Sequence, residues 1–445
     1  MGTNQSLLNR EQQNYAPADR IKYFDIVLAS GQGASLTDVE GHEYLDLLSS
    51  ASATNVGHCH PHVVEAIKRQ ADQLIQYTPA YFATKPEVAL TERLAALAPI
   101  DGPVKVAFGN SGSDANDAII KFSRAATGRS YVVSFTGAYH GSTYGSISTS
   151  AISLNMSRKI GPLLPNVIKM PFPSPWERLA HETDTEFSER MFQEFLRPFT
   201  TYLPPEETAV IEIEPIQGDG GFLKVPEHFM DLIYQFAQDH GILFAVDEVN
   251  QGLGRSGKMW SIEHFPHVHP DLVAIGKSLA AGLPLSAVLG RAKVMDALAA
   301  PGNVYTTAGN PVTTAAASAV LDVIADEQLV ERSTRLGARA ADFFNQLQTK
   351  YPVIHDVRLY GLNGGLEICK PHTDHPDSNT ATRLIQRIFE LGALMITVRG
   401  NVLRFQPPLV ITEAELDRAL QIIAQAFQEL AAGRLTGPVP QLGWN

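Results

Sequence analysis

The chain has 445 residues, of which 35 are Lys or Arg and 47 Asp or Glu, for a formal net charge of −12. Net repulsion from phosphate backbones and anionic headgroups argues against nucleic acid and membrane surfaces as partners. The only cysteines, Cys59 and Cys369, share no metal-ligand spacing and build no disulfide framework, and no apolar run approaches the roughly 20 residues of a membrane span. The polar stretch Met1–Arg20 lacks the apolar core of a secretory signal, so a cytoplasmic protein is expected.

At this length two domains are expected. Ile21–Leu48 reads as short strands joined by turns at Gly31–Gly33 and Asp38–Gly41, a meander on the smaller domain. Pro61–Tyr77 carries Val63, Val64, Ile67, Ala71, Leu74 and Ile75 at helical spacing, and Pro86–Ala98 repeats the pattern. The loop between them holds Tyr81 and Phe82, which read first as core aromatics.

From Val104 strand and helix alternate. Val104–Phe108 is a strand, Gly109–Gly112 a tight turn, Ser113–Thr127 a helix and Tyr131–Phe135 a strand. Ala209–Ile213, Ile242–Val246 and Leu272–Ile275 are further strands, Pro226–His240 is a helix, and the charged, aromatic Trp176–Thr201 is helical without evident chemistry. This alternation predicts an α/β fold with a doubly wound, mostly parallel sheet sandwiched by helices. After Pro311 come helices to Asp326 and over Leu329–Lys350, a turn at Gly361–Gly365, strands at Leu366–Cys369 and Val402–Phe405, and helices at Thr382–Leu391 and Glu413–Ala431. That composition predicts a smaller α+β domain. The expected division is residues 1–60 as the N-terminal part of the small domain, 61–326 as the large domain and 327–445 as the rest of the small one.

Chemistry concentrates at strand ends. Asp247 closes one apolar run and Lys277 follows another, and the carboxyl ends of parallel strands are where open α/β sheets bind ligands. Spacing alone equally allows a capping aspartate and a solvated turn lysine. Gly109–Asp114, between a strand and a helix start, offers amides and hydroxyls to an anion, or is a plain turn capped by Ser113 or Asp114. Two nucleotide signatures fail. Gly252–Gly257 matches G-x-G-x-x-G but opens no βα unit, and Gly276-Lys277-Ser278 lacks the first glycine of a P-loop, since position 271 is Asp271. A strand-end lysine, a strand-end aspartate, an anion cradle and the Tyr139-His140 pair together meet the needs of pyridoxal phosphate. Those needs are an amine for its aldehyde, a carboxylate for its ring nitrogen, an aromatic cover and a phosphate seat.

The chain resembles the class III aminotransferases, fold-type I pyridoxal phosphate enzymes, over nearly its whole length. The resemblance rests on SGSDANDAIIK, GAYHG, IEPIQGDGG, DEVNQGLGRSG, PDLVAIGKSLAAGLP, TTAGNP and LRFQPPL, in family order. It implies that Lys277 forms a Schiff base with pyridoxal 5'-phosphate and that Asp247 pairs with its ring nitrogen. Ser111, Gly112 and Ser113 would hold the phosphate, Tyr139 would stack on the ring beside His140, and Asn250 would stand near the ring hydroxyl. Thr306 would reach the phosphate of a neighbouring subunit, which implies a homodimer, or a dimer of dimers, with active sites at the interface. Arg404 would grip the carboxylate of a small amino-acid substrate.

Three positions depart from the aminotransferase pattern: Asn250 stands where Gln is usual, Thr307 where an aromatic is usual, and Asp219 where Glu is usual. Asp219 bears on the choice of reaction. Amino transfer needs one base at the substrate Cα, whereas inversion needs a second acid/base on the opposite face. The stretches SASATNVGH, YTPAYF, SLNMSRKIGPLLP and TTAGNPV bring the chain nearest to the branched-chain amino-acid racemases of the family. That similarity implies a two-base racemase or epimerase of branched-chain or other apolar amino acids, with Lys277 and Asp219 as the bases. Tyr81, Phe82 and Tyr144 are candidates for the side-chain pocket. The alternative is an aminotransferase using Lys277 alone.

Overall fold

The computed structural model describes residues 2–443. The chain forms two compact units. The larger comprises His62–Leu253 with Lys258–Asp322; the smaller comprises the chain up to Pro61, Gly254–Gly257 and everything from Val323 onward.

After a helix at Asn4–Glu11, the smaller unit supplies strands β1 (Leu28–Gln32), β2 (Ser35–Asp38) and β3 (Glu43–Asp46). The larger unit then supplies β4 (Val104–Gly109), β5 (Tyr131–Phe135), β6 (Val167–Met170), β7 (Thr208–Ile213), β8 (Leu243–Asp247), β9 (Leu272–Ile275) and β10 (Ser286–Arg291). These seven make one sheet in the order β4-β10-β9-β8-β7-β5-β6. The pairs β5–β6, β5–β7, β7–β8 and β8–β9 are parallel, whereas β10 runs antiparallel to both its neighbours. The sheet is therefore mostly parallel, as expected. Strands β6 and β10 escape the sequence pattern: β6 is four residues long with Lys169 inside it, and β10 starts on Ser286 and is interrupted by Gly290.

Every residue of β7 and β9 is buried, and so are the last four of β8. A parallel sheet covered on both faces buries its central strands on both sides, and β7 does so even at Glu212. Helix Gly112–Thr127 lays Ala115, Ala118, Ile119 and Phe122 against Val132, Val210, Ala245, Leu272, Ala274 and Val288, which spans the middle of the sheet. Elsewhere helices Asp184–Leu196 and Glu227–His240 share an aromatic cluster, with Phe195 5.7 Å from Phe236 and 6.3 Å from Phe229 between ring centroids. The charged segment around residue 190 thus has a packing role.

In the smaller unit β11 (Ile354–Leu359), β12 (Gly364–Ile368), β13 (Ala393–Leu394), β14 (Ile396–Val398) and β15 (Val402–Phe405) complete two four-stranded sheets, β1-β2-β3-β13 and β11-β12-β15-β14. Gly364 and Gly365, read as turn residues, belong to β12. The nucleotide-like Gly252–Gly257 run delivers Arg255, fully buried, to the Ser52 hydroxyl, the Asn55 side chain and the carbonyls of Leu362 and Pro407. Among the described residues no helix is long and apolar enough to cross a membrane.

Two local expectations are corrected. The helix from Pro61 ends at Ala71, and Leu74 and Ile75, which seemed to prolong it, are exposed. Tyr81 and Phe82 are no part of this chain's core: they are 75% and 62% exposed.

Helix Leu329–Lys350 carries Gly337 against the backbone of Gly361. A Cβ there would lie 2.1 Å from the Gly361 carbonyl oxygen, so the usual helix gain of about 1 kcal/mol for Gly→Ala is outweighed by overpacking. Gly337→Ala is expected to destabilise by about 1–3 kcal/mol in thermal or urea unfolding, and a stabilised variant would contradict this packing.

Candidate active site

A cavity of about 160 Å³ in the larger unit is lined by Gly112, Ser113, Asn116, Tyr139, His140, Gly141, Glu214, Asp219, Asp247, Val249, Asn250 and Lys277. Its walls are strand ends and the loops that follow them. Asp247 is the last residue of β8 and pairs in parallel register with Ala274 of β9; Lys277 lies three residues further on. The parallel pairing carries both groups to the same edge of the sheet. Lys277 adopts φ 44°, a left-handed conformation disfavoured for a residue with a Cβ, as it turns out of β9 into a short 3₁₀ segment.

Asp247 is 3% exposed and has three donors. Its Oδ2 accepts from His140 Nδ1 and Asn116 Nδ2, each at 2.8 Å, and its Oδ1 accepts from the Val249 amide at 2.9 Å. Asn116 also donates to the His140 carbonyl at 2.6 Å, and the Ser150 hydroxyl fixes the His140 amide. Burial opposes the charged imidazole, yet Glu212, Asp247 and Glu214 around it push its pKa up to about 9. Glu214, raised to about 7 mainly by burial, accepts from the amides of Tyr139 at 3.2 Å and Gly218 at 3.1 Å. One side chain thus ties the loop bearing Tyr139 and His140 to the loop bearing Asp219, which is half-buried.

The opposite wall is the start of helix Gly112–Thr127. Ser111 is its N-cap: the Ser111 hydroxyl accepts from the Asp114 amide, and the Asp114 carboxylate accepts from the amides of Asn110 and Ser111. Ser111 therefore caps, whereas Gly112 and Ser113 begin the helix and face the cavity. Their amides have no intrahelical acceptor, at the positive end of a 16-residue dipole. The cradle is close-fitting. A Cβ on Gly112 would lie 2.7 Å from Val249, and one on Gly141, at φ 136°, would lie 2.3 Å from the Ser113 hydroxyl.

The donor set suits pyridoxal phosphate: an anion seat at a helix N-terminus, the thrice-bonded carboxyl group of Asp247 deep in the wall, an aromatic ring at Tyr139 and an amine at Lys277. Asn250 lines the same cavity, packed so closely on Gly218 that a Cβ there would meet its amide at 2.7 Å. Thr306, Tyr81, Phe82 and Tyr144 are not among the lining residues and are exposed on the single chain. Arg404 is on β15 of the smaller unit, buried, with its Nε donating to Gln406 at 2.5 Å. Asn116 and Glu214 escaped the sequence reading. Their signals are a polar position beside the apolar stripe of a helix and an acidic residue closing an apolar strand.

A family model for class III aminotransferases matches residues 15–427. The chain belongs to the class III aminotransferase family. Its members similar to this chain include isoleucine 2-epimerase of Lentilactobacillus buchneri, 54% identical over 441 residues, 98% of each chain. Leucine/methionine racemase of Thermococcus litoralis is 38% identical over 433 residues, 97% of each. Among solved structures, ornithine aminotransferase of Toxoplasma gondii, with PLP at partial occupancy in its active site, superposes with a TM-score of 0.84 at 29% identity, covering 98% of this chain and 96% of that one. The fold is that of the fold-type I pyridoxal phosphate transferases.

The charge cluster sets a pH dependence. Glu212 and Glu214, raised from 4.5 to about 7, and His140, raised from 6.5 to about 9, all bind protons more tightly in the folded state. Their contribution to stability is complete below about pH 4.5 for the carboxyls and 6.5 for the imidazole, and is lost as pH rises through 7 and 9 respectively. The unfolding midpoint is expected to fall between about pH 6 and 9, and a midpoint that rises across that range would contradict the cluster.

Proposed function

We propose that the protein is a pyridoxal-phosphate-dependent racemase or epimerase acting at Cα of branched-chain or other apolar amino acids. The observation that carries this reading is the presence of Lys277 and Asp219 in the wall of one cavity with Asp247 and the helix N-terminus. When bound, pyridoxal phosphate supplies an electron-withdrawing ring that acidifies Cα of an attached amino acid. Inversion then requires one residue to remove the Cα proton and another to return a proton from the other face. Lys277 and Asp219 are the groups proposed for those tasks. Glu214, by holding the Gly218 amide, steadies the loop that presents Asp219. Asp247 is proposed to hold the ring nitrogen, Gly112 and Ser113 the phosphate, Tyr139 to cover the ring with His140 behind Asp247, and Asn250 to stand at the ring edge. Ser111 contributes by capping the helix that seats the phosphate. Arg404 is the group proposed for the substrate carboxylate, where a planar bidentate fork is suited.

The similarity to isoleucine 2-epimerase and leucine/methionine racemase supports inversion with apolar side chains. The family also supports a second reading, amino transfer with Lys277 alone, since the ornithine enzyme shares the fold. A homodimer, or a dimer of dimers, with active sites at the interface is part of the proposal. It gives the exposed Tyr77, Tyr81, Phe82 and Tyr144 a covering surface and Thr306 a phosphate in the partner's site. The proposed division keeps residues 1–60 and 327–445 as the small domain and 61–326 as the large one.

Purified protein given L-isoleucine and no 2-oxo acid is expected to form D-allo-isoleucine, resolved by chiral chromatography. Turnover only on addition of a 2-oxo acid, without any D-product, would establish amino transfer instead. Lys277→Ala should abolish both activities. Asp219→Asn should lower racemisation about 10²–10⁴-fold while the visible absorption of bound cofactor persists; undiminished racemisation would remove Asp219 as the second base.

A further inference from the structure

Behind the Asp247–His140 pair lies a carboxyl that the reaction does not use. Glu212 is on β7, all of whose residues are buried, and is itself 0% exposed. Neither of its oxygens meets a hydrogen-bond donor among the described residues. The hydroxyl of Thr149 beside it donates to the Ser146 carbonyl and answers the Glu212 charge only in part. The register of β7 on β8, with Glu212 against Ala245, puts Glu212 on the sheet face that carries Asp247, and His140 is in a matching state: its Nδ1 is on Asp247, while its buried Nε2 has no hydrogen-bond partner among the described residues. The charged groups around Glu212 are His140 in the loop after β5, Asp247 at the end of β8 and Asp117 on helix Gly112–Thr127. Glu214 lies just past the end of the same strand and also acts on His140.

The two glutamates are not equivalent. Glu214 has a backbone amide on each oxygen, which holds its charge locally. Glu212 has no such donors, and a buried carboxylate without them is costly unless a cation stands close. The cation available is the His140 imidazolium.

We propose that Glu212 is a positioning residue that acts through His140: its carboxyl holds the imidazole protonated on both nitrogens, which keeps Asp247 paired and oriented for the cofactor ring nitrogen. The consequence for the ring rests on the pyridoxal phosphate reading, whereas the protonation of His140 does not. A purely structural Glu212 would leave the imidazole titration where it is.

The test is nitrogen-15 NMR of the full-length protein labelled at histidine, with His140 assigned by its loss in His140→Gln, in the apo and cofactor-loaded forms. Wild-type His140 is expected to carry both ring protons at pH 7.5. Glu212→Gln, close in shape but uncharged, should move its titration down by about one pH unit or more, and Glu212→Asp should restore it. The pH dependence of the bound cofactor's visible absorption should move with it. A singly protonated His140 in the wild type, or an unchanged titration in Glu212→Gln, overturns the proposal; if that variant does not fold, the wild-type state decides. Failure to bind cofactor at all would instead overturn the reading of the site and leave the imidazole measurement intact.

Discussion

A carboxyl group at the end of a buried strand has to be met where it stands, and Asp247 is that group. An ionised carboxylate withdrawn from water costs several kcal/mol unless its lone pairs are answered. Here the answers come from three directions: the His140 ring, the Asn116 amide and the backbone at Val249. Each depends on a different part of the fold. The His140 loop follows β5, two places along the sheet from β8, and Asn116 stands on a helix that crosses the sheet. Strand order, helix packing and loop closure all have to be correct for this one carboxyl group to keep its three donors. Such a pair is a poor source of stability, since hydrophobic replacements of buried ion pairs are often neutral or better. Its presence is therefore an argument for function.

The same geometry distributes rigidity. Helix Gly112–Thr127 is anchored by apolar contacts in the middle of the sheet, so its N-terminus, with the amides of Gly112 and Ser113, is fixed relative to β8 and β9. The cap formed by Ser111 and Asp114 leaves those two amides pointing outward. Glu214 then couples two loops through backbone donors alone, which constrains position without depending on the identity of the residues whose amides it accepts.

The places of Asp247 and Lys277 were legible because one closes an apolar run and the other stands just past one, and in a parallel sheet that pattern marks both the strand and the edge that binds ligands. The helix after Gly109 was legible for similar local reasons. What joins these parts was less so. Asn116 sits beside an apolar stripe and looks like any solvated position; only the crossing of the helix over β8 makes it a donor to Asp247. The direction of β10 is equally absent from the sequence, because an edge-ward strand has the same alternation whichever way it runs. Tyr81 and Phe82 misled for a physical reason: large aromatics usually report burial, and a lone sequence does not distinguish burial within a chain from burial against another surface. Motifs spread over nearly the whole chain supplied the function; composition and periodicity reached only the fold.

The Gly218–Gly221 turn has a further consequence. It closes on itself, with the amides of Gly221 and Phe222 on the Gly218 carbonyl, and it lies beyond the end of β7, outside the sheet's ladder. Its one side chain in the cavity wall is Asp219. Asp219 stands outside every strand, whereas Asp247 ends β8 and Lys277 follows β9 at the sheet edge itself. On the proposed reading, the residue that chooses between reactions is separate from the sheet edge that seats the cofactor, so the two are built by different parts of the chain.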